Sequence, residues 1–181
     1  STGPLHFRPC AKCMSDWADL MNDLNKLQHS DAVTTAWQFT EQVPHGRDLG
    51  MQVVSVDQGQ VCMRLTPQSW MFAHKDTKEI CTSVLYSLAD SAGGLAVFAG
   101  ALELMPIATL DLRMDYLRPA IGDRALSAVA TCRHLSDDVA FIHCDILSEG
   151  NRELLATANA TFMRNTQGQQ LHAGGRGKES A

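Results

Sequence analysis

The stretch that most constrains the fold runs from Glu79 to Gly100, EICTSVLYSLADSAGGLAVFAG. Its residues suit a helix throughout, and at about 100° per residue one broad half of that helix is apolar. The opposite side, called here the small-residue face, carries short side chains, hydroxyl groups and one carboxylate where a solvated helix carries Lys and Glu. Its members are Ser83, Tyr86, Ser87, Asp90, Gly93, Gly94 and Val97. We therefore expect a long helix that is packed on most sides, with Asp90 on its small-residue face.

Length and charge restrict the class of protein. A chain of 181 residues is large enough for one domain with a substantial core. Its net charge of -5 argues against nucleic acid as the main partner, because polyanion binding needs a basic surface. The sequence contains no run of 18 apolar residues, so we expect no membrane span. No apolar signal core precedes the first predicted helix. We expect a cytoplasmic protein.

The cysteines indicate neither a disulfide framework nor a metal site. The six of them are scattered, which in a chain of this size fits reduced cytosolic thiols. Cys10-x-x-Cys13 has no second pair at zinc-finger spacing, and the nearest histidine, His6, precedes it. We expect no bound metal.

Strand patterns flank the helix. From Gly50 the period changes to two, which predicts two strands joined by a turn at 57–59, and a loop then covers 67–78. Four more strands are predicted after the helix, over Thr109–Leu117, Ala125–His134, Val139–Leu147 and Glu153–Met163. Short turns between them predict antiparallel pairing. The sequence thus predicts an α+β domain, in which an antiparallel sheet of about five or six strands surrounds the central helix.

The alternation also assigns side chains to faces. Along Thr109–Leu117, the residues Leu110, Leu112, Met114 and Tyr116 are predicted to point to one side, and Thr109, Asp111, Arg113 and Asp115 to the other. Several positions on the later strands that should face the helix are alanine, which lets a bulky element lie close: Ala128, Ala130, Ala140, Ala156, Ala158 and Ala160.

The domain boundaries follow from these patterns. Residues 1–48 are predicted to be an arm and two helices, Ser15–Leu27 and about Asp31–Gln42, packed on the main domain. Residues 49–164 form the main domain. Residues 165–181 are polar and rich in glycine, which predicts a disordered tail.

Two segments resemble a known family. LADSAGGLA at 88–96 and TLDLRMDYLRPA at 109–120 are similar to the helix motif L-x-D-x-x-x-G-x-A and the strand motif T-L-D-L-x-x-x-Y-L-R-P-A of PaaI-type acyl-CoA thioesterases. These proteins have the hotdog fold, whose order of two strands, one long helix and four antiparallel strands matches the pattern above. The resemblance covers roughly residues 50–163.

The resemblance implies an activity. It is hydrolysis of an acyl-CoA thioester at a site between two subunits of a homodimer, or of a dimer of dimers. Asp90 matches the carboxylate that acts as general base or nucleophile, and the amide of Thr82 matches the donor that polarises the thioester carbonyl. No cofactor is implied, since coenzyme A is part of the substrate. The candidate substrate-binding residues are Cys81, Ser83, Gly94, Thr109, Arg118 and Arg133, the two arginines as partners for phosphate.

The start of the helix departs from the family pattern. Where the family commonly has His-Gly-Gly, beginning nine residues before the acid, this chain has Cys81, Thr82 and Ser83. This difference leaves open an alternative function, a hotdog protein that binds an acyl thioester or another apolar ligand without hydrolysing it. The residues also allow purely structural interpretations. Thr82 and Ser83 suit helix caps, Asp76 with Glu79 suits a capping box at an earlier helix start, and Gly94 suits close packing.

Overall fold

A computed structural model describes residues 43–102 and 106–164. The helices in this part of the chain are α1 (Pro44–Asp48) and α2 (Thr82–Ala101), and a single 3-10 turn covers Ser69–Met71. The strands are β1 (Met51–Asp57), β2 (Gln60–Leu65), β3 (Phe72–His74), β4 (Glu79–Ile80), β5 (Ile107–Tyr116), β6 (Leu126–Leu135), β7 (Val139–Ser148) and β8 (Leu154–Arg164).

Six of the strands form one antiparallel sheet in the order β1-β2-β6-β7-β8-β5. Helix α2 packs along one side of this sheet, mainly against β6, β2 and β7. The predicted α+β hotdog architecture is therefore confirmed. The end strands of the sheet are β1 and β5, and β5 is the strand that follows the helix in sequence.

The sheet accepts the helix closely because its inner surface is made of small side chains. All six alanines predicted to face the helix are buried: Ala128, Ala130, Ala140, Ala156, Ala158 and Ala160. Larger side chains from β2 and from the helix, among them Met63, Leu65, Leu85 and Leu88, fill the remaining space. A methyl group at each sheet position keeps the helix axis near the strands and excludes water from between them.

Helix α2 begins three residues later than the start of the apolar stretch. Glu79 and Ile80 belong to β4, which pairs with β3 in a separate two-stranded sheet. The amide of Ile80 donates to the carbonyl of Ala120, and the amide of Cys81 donates to the carbonyl of Met71. These amides hold the chain in an extended conformation, so a helix start at Asp76 is excluded and the N-cap is Cys81. At the other end, Leu102 terminates the helix in the left-handed conformation.

The other boundaries differ little from the prediction. The strands lie within about two residues of the predicted ranges. The segment 67–78, predicted as a loop, contains the 3-10 turn and β3, and α1 was missed altogether. The predicted helices Ser15–Leu27 and Asp31–Gln42 and the tail 165–181 lie outside the described residues.

The small-residue face of α2 is divided into two halves. Gly93, Gly94 and Val97 are buried by the chain's own strands, where the Gly93 and Gly94 positions approach Phe162 and Ile107. The amino-terminal half of the face, from Ser83 to Asp90, is left partly open. The sheet therefore covers more of the helix than its apolar half, and the accessible part of the small-residue face is its amino-terminal half.

By length and hydropathy α2 is also a candidate membrane span, and the described residues contain no second one. Its position inside the sheet identifies it as the core helix of the domain.

The expectation of reduced thiols is wrong at one position. Cys62, on β2, is disulfide-bonded. Cys81, Cys132 and Cys144 are free thiols.

The two adjacent glycines of α2 give a test of the close helix–sheet packing. A methyl group at position 94 would lie 3.5 Å from Ile107 Cδ1, an ordinary contact, whereas one at position 93 would lie 3.1 Å from Phe162 Cε2. We expect Gly94→Ala to stabilise the protein by about 1 kcal/mol through helix propensity. Gly93→Ala should be less stable than Gly94→Ala by about 1–3 kcal/mol, because the added methyl group would lie closer to the buried Phe162 ring than an ordinary van der Waals contact.

Urea unfolding of both variants measures this difference in the free energy of unfolding. Equal stability of the two variants would show that the helix can shift away from the sheet at this point.

Candidate active site

The candidate site lies on the open part of α2. We call the residues Ser83, Tyr86, Ser87 and Asp90 the open half-face. They recur at spacings of three and four, so they follow one side of the helix over its first three turns. Ser87 and Asp90 are half-buried, and Ser83 and Tyr86 are exposed. Asp90 is therefore at the inner end of an accessible strip that reaches the surface at the start of the helix.

A hydrogen bond fixes the Asp90 carboxylate. The hydroxyl of Thr109, on β5, donates to Asp90 Oδ1 across 2.8 Å. Among the described residues, Asp90 Oδ2 accepts no hydrogen bond. Two of the predicted site residues are thus in direct contact, and one carboxylate oxygen is left for a ligand or a water molecule.

A β-bulge places Thr109 on the helix side of the sheet. Thr109 is opposite Phe162 on β8, and Asp111 is opposite Thr161, so Leu110 is an extra residue in β5. The prediction that Thr109 points away from Leu112 is therefore wrong: both side chains face the helix, and Leu110 is exposed. Bulges of this kind redirect a side chain without breaking the strand.

The first turn of α2 supplies backbone donors. Thr82 and Ser83 are its first two residues, and no hydrogen bond to either amide is found within the described part of the chain. The amide of Val84 donates to the carbonyl of Cys81, and no side chain caps the helix. The amides of Thr82 and Ser83 together with the helix dipole make this end suitable for an oxygen that carries negative charge.

Tyr86 of the open half-face and two side chains that border it, Tyr116 and His45, were assigned no site role by sequence analysis. The Tyr86 hydroxyl donates to the carbonyl of Leu112, and the Tyr116 hydroxyl approaches the carbonyl of Thr82 at 3.5 Å. His45 of α1 lies with Nε2 at 3.0 Å from Ser87 Oγ. His45 lies just before the segment that carries the family resemblance and is 42 residues from Ser87, so only the folded structure shows that it belongs beside the helix.

The two predicted arginines lie at opposite ends of α2. Arg118 follows Tyr116 on the side of the helix start, where its guanidinium pairs with Glu153 at 2.9 Å and donates to the carbonyl of Leu154. Arg133 is exposed in a bulge of β6 next to Cys132, which packs against Gly100. Since Thr82 and Gly100 are separated by about 27 Å along the helix axis, Arg133 is remote from the site of its own chain.

The remaining predicted residues have structural surroundings. Gly94 is buried against Ile107 and Phe162, and Cys81 packs against the core while its amide binds Met71. Burial raises the pKa of the Cys132 thiol, and complete burial raises that of Cys144 more strongly, with the nearby Asp145 adding to the effect. Neither of these two thiols has the low pKa of a nucleophilic cysteine.

The described residues contain no group of three or more His, Cys, Asp or Glu side chains arranged to hold a metal ion. The chemistry available at the open half-face is that of a carboxylate, hydroxyl groups and backbone amides.

Known proteins share this fold and part of this sequence. The family model described as thioesterase superfamily matches residues 82–155, which include α2, β5, β6 and β7. The medium/long-chain acyl-CoA thioesterase YigI of Escherichia coli strain K12 is 26% identical over 138 residues, which cover 69% of this chain and 88% of the relative.

Two solved structures show the same architecture. The PaaI protein from the phenylacetic acid degradation operon of E. coli superposes with a TM-score of 0.68 at 22% identity, covering 76% of this chain and 95% of that one. A mutant of phenylacetic acid degradation protein PaaI from Thermus thermophilus gives 0.59 at 27% identity, covering 67% and 98%. The resemblance to PaaI-type hotdog thioesterases inferred from the sequence is confirmed.

Proposed function

We propose that this protein hydrolyses acyl-CoA thioesters to a free acid and coenzyme A. The observation that carries the proposal is the contact of the Asp90 carboxylate with Thr109, which joins the two segments that resemble thioesterases. The second carboxylate oxygen has no hydrogen-bond partner among the described residues. The printed activity of the E. coli relative, a medium/long-chain acyl-CoA thioesterase, supports the choice of substrate.

The geometry suits a carboxylate that acts on water. With Oδ1 bound to Thr109, Oδ2 takes a proton from a water molecule as the water oxygen adds to the thioester carbonyl carbon. The carbonyl oxygen becomes an oxyanion and is stabilised by the amide of Thr82. Collapse of this intermediate breaks the C–S bond, and the leaving thiolate takes the proton from Asp90. Direct attack by Oδ2 on the carbonyl carbon is the other route open to the same atom.

One copy of the chain does not bring these groups together. Thr82 and Asp90 are eight positions apart, a rise of about 12 Å along the helix. A carbonyl group that contacts both directly spans about 7 Å, from two contacts of about 3 Å and a C=O bond of about 1.2 Å, and a water molecule between it and Asp90 extends the span to about 10 Å. We therefore infer that the Asp90 carboxylate of one copy works with the Thr82 amide of a second copy.

The end strand β5 supports this arrangement. One of its edges pairs with β8 and the other pairs with none of the described strands. Large apolar side chains are exposed on and just after this strand, with 52% of Leu110, 46% of Tyr116 and 50% of Leu117 accessible. An unpaired strand edge bordered by apolar side chains is the usual setting for strand-to-strand association. We propose a homodimer that joins β5 to its copy, and this dimer is able to pair again into a tetramer.

The first experiment is release of free thiol from a panel of acyl-CoAs, aromatic and medium-chain. We expect Asp90→Asn to lower kcat by about 10²–10⁴-fold, because the amide cannot accept the proton. Asp138→Asn, which changes an exposed acid in the turn before β7, serves as the matched control and should retain activity.

No turnover of any acyl-CoA by the wild-type protein, or full turnover by Asp90→Asn, would refute the hydrolase proposal. Binding of an acyl-CoA without turnover would instead support the non-hydrolytic alternative, which the replacement of His-Gly-Gly by Cys81, Thr82 and Ser83 suggests. In that case Gly at positions 82 and 83 should create activity.

The hydroxyl of Thr109 gives a second test. Thr109→Val keeps the shape of the side chain and removes the donor to Asp90, so kcat should fall by about 10–100-fold, the value of a hydrogen bond to a charged group. Thr109→Ser keeps the donor and should stay close to wild type. The proposed role of the bond is wrong if the valine and serine variants have the same kcat.

The shared site predicts that monomers are inactive. The double change Leu110→Glu with Leu117→Glu places charges at the exposed border of β5 and should weaken self-association by at least about 100-fold, since burying unpaired charges is costly. Sedimentation should then show monomers, and thiol release should be lost although Asp90 and Thr82 are unchanged.

Phe141→Glu, an equally exposed apolar position on β7, is the control that should remain associated at least as a dimer. A monomeric double variant with wild-type turnover would exclude the shared site.

A further inference from the structure

The open half-face of α2 has a polar continuation that the proposed hydrolysis does not use. Ser87 precedes Asp90 by one helical turn, a spacing at which side chains are neighbours about 5–6 Å apart. His45 of α1 lies with Nε2 at 3.0 Å from Ser87 Oγ. The imidazole is therefore held within about one turn of the carboxylate, by an element that lies outside both thioesterase-like segments.

The residues that surround α2 determine the direction in which a bound ligand extends from Asp90. Toward the carboxyl end, the face is closed at once, because Gly93 and Gly94 are buried against Phe162 and Ile107. Toward the amino end, accessibility increases from the half-buried Ser87 to the exposed Ser83 and Thr82. Within the described part of the chain, a thioester whose carbonyl lies at Asp90 therefore reaches the surface along α2, past Ser87 and His45.

This path is lined by hydrogen-bonding groups. Ser83 and Ser87 are about 6 Å apart along the helix, and the Ser87–His45 pair lies between Ser83 and Asp90. Ser87 and His45 already bond each other, but a hydrocarbon chain laid on this surface would leave the Ser83 hydroxyl and the remaining hydrogen-bonding positions of this pair without partners, at a cost of about 1–3 kcal/mol for each group buried. An arm that carries amide groups satisfies them. In an acyl-CoA that arm is the pantetheine portion of coenzyme A.

We propose that His45, together with Ser87, binds the amide-bearing pantetheine arm and so selects thioesters of coenzyme A over simple thioesters. This inference rests on the proposed function for the position of the thioester at Asp90. The pantetheine arm then lies on the side of the site that faces α1. His45 contacts the substrate without taking part in the bond changes.

The test compares two substrates with the same acyl group, octanoyl-CoA and the octanoyl thioester of 2-mercaptoethanol, which has no amide. For His45→Ala and for Ser87→Ala we expect kcat/KM on octanoyl-CoA to fall about 10-fold, mainly through KM, because one hydrogen-bonding contact is lost. On the mercaptoethanol thioester the change should stay below about 2-fold. His45→Gln, which can donate and accept at a similar position, should recover most of the loss.

The control is His134→Ala. His134 is an exposed residue of β6 whose imidazole is near the Phe141 ring of β7, and it lies toward the carboxyl end of α2, away from His45. The variant should behave as wild type with both substrates. Equal losses on the two thioesters would show that His45 acts on Asp90 or on the fold and would overturn the inference, as would no loss on either.

Calorimetric titration with free coenzyme A separates this inference from the proposed function. We expect the Kd of coenzyme A to rise about 10-fold in His45→Ala and to be unchanged in His134→Ala. If the wild-type protein hydrolyses neither thioester but shows this dependence of Kd on His45, the hydrolase proposal fails and the binding inference stands. Absence of coenzyme A binding, or a Kd that does not depend on His45, overturns it.

Discussion

The close approach of α2 to the sheet is the constraint on which the rest of the structure depends. Six alanines on β6, β7 and β8 and the buried Gly93 keep the helix axis near the strands. Only at this separation does a side chain as short as threonine reach from β5 to the helix and donate to Asp90. The same packing excludes water from the carboxyl-terminal half of the helix, so the polar residues of the amino-terminal half are the accessible ones.

The accessible strip explains why a helix in the centre of a domain carries so polar a side. Ser83, Ser87 and Asp90 follow one another by turns, and Tyr86 beside them is tied to the backbone of β5. A carboxylate at the inner end and backbone amides at the outer end suit a polarised carbonyl compound. The two ends are too far apart to act on one carbonyl within a single chain, and for this reason a second copy enters the proposed mechanism.

The sequence predicted well those features that depend on periodicity. The alternation in β6, β7 and β8 indicated the inner alanines correctly, and the helical pattern placed Asp90 on the less covered side. Contacts from distant segments decided the rest. The start of α2 was predicted too early because Ile80 and Cys81 donate to Ala120 and Met71, which no local propensity indicates. His45 was missed because its contact with Ser87 joins residues 42 positions apart.

The bulge in β5 has a consequence for how the site is encoded. Side chains of a strand alternate with a period of two, so the extra residue at Leu110 inverts which side of the sheet the residues before it face. Thr109 reaches the acid because of that inversion, while Leu112 and Met114 beyond it keep their places against the helix. The position of the hydroxyl therefore depends on the bulge rather than on its place in the alternating pattern. A regular strand of the same sequence would leave every chemical group of the site present in the chain and would turn Thr109 to the side of the sheet away from the helix.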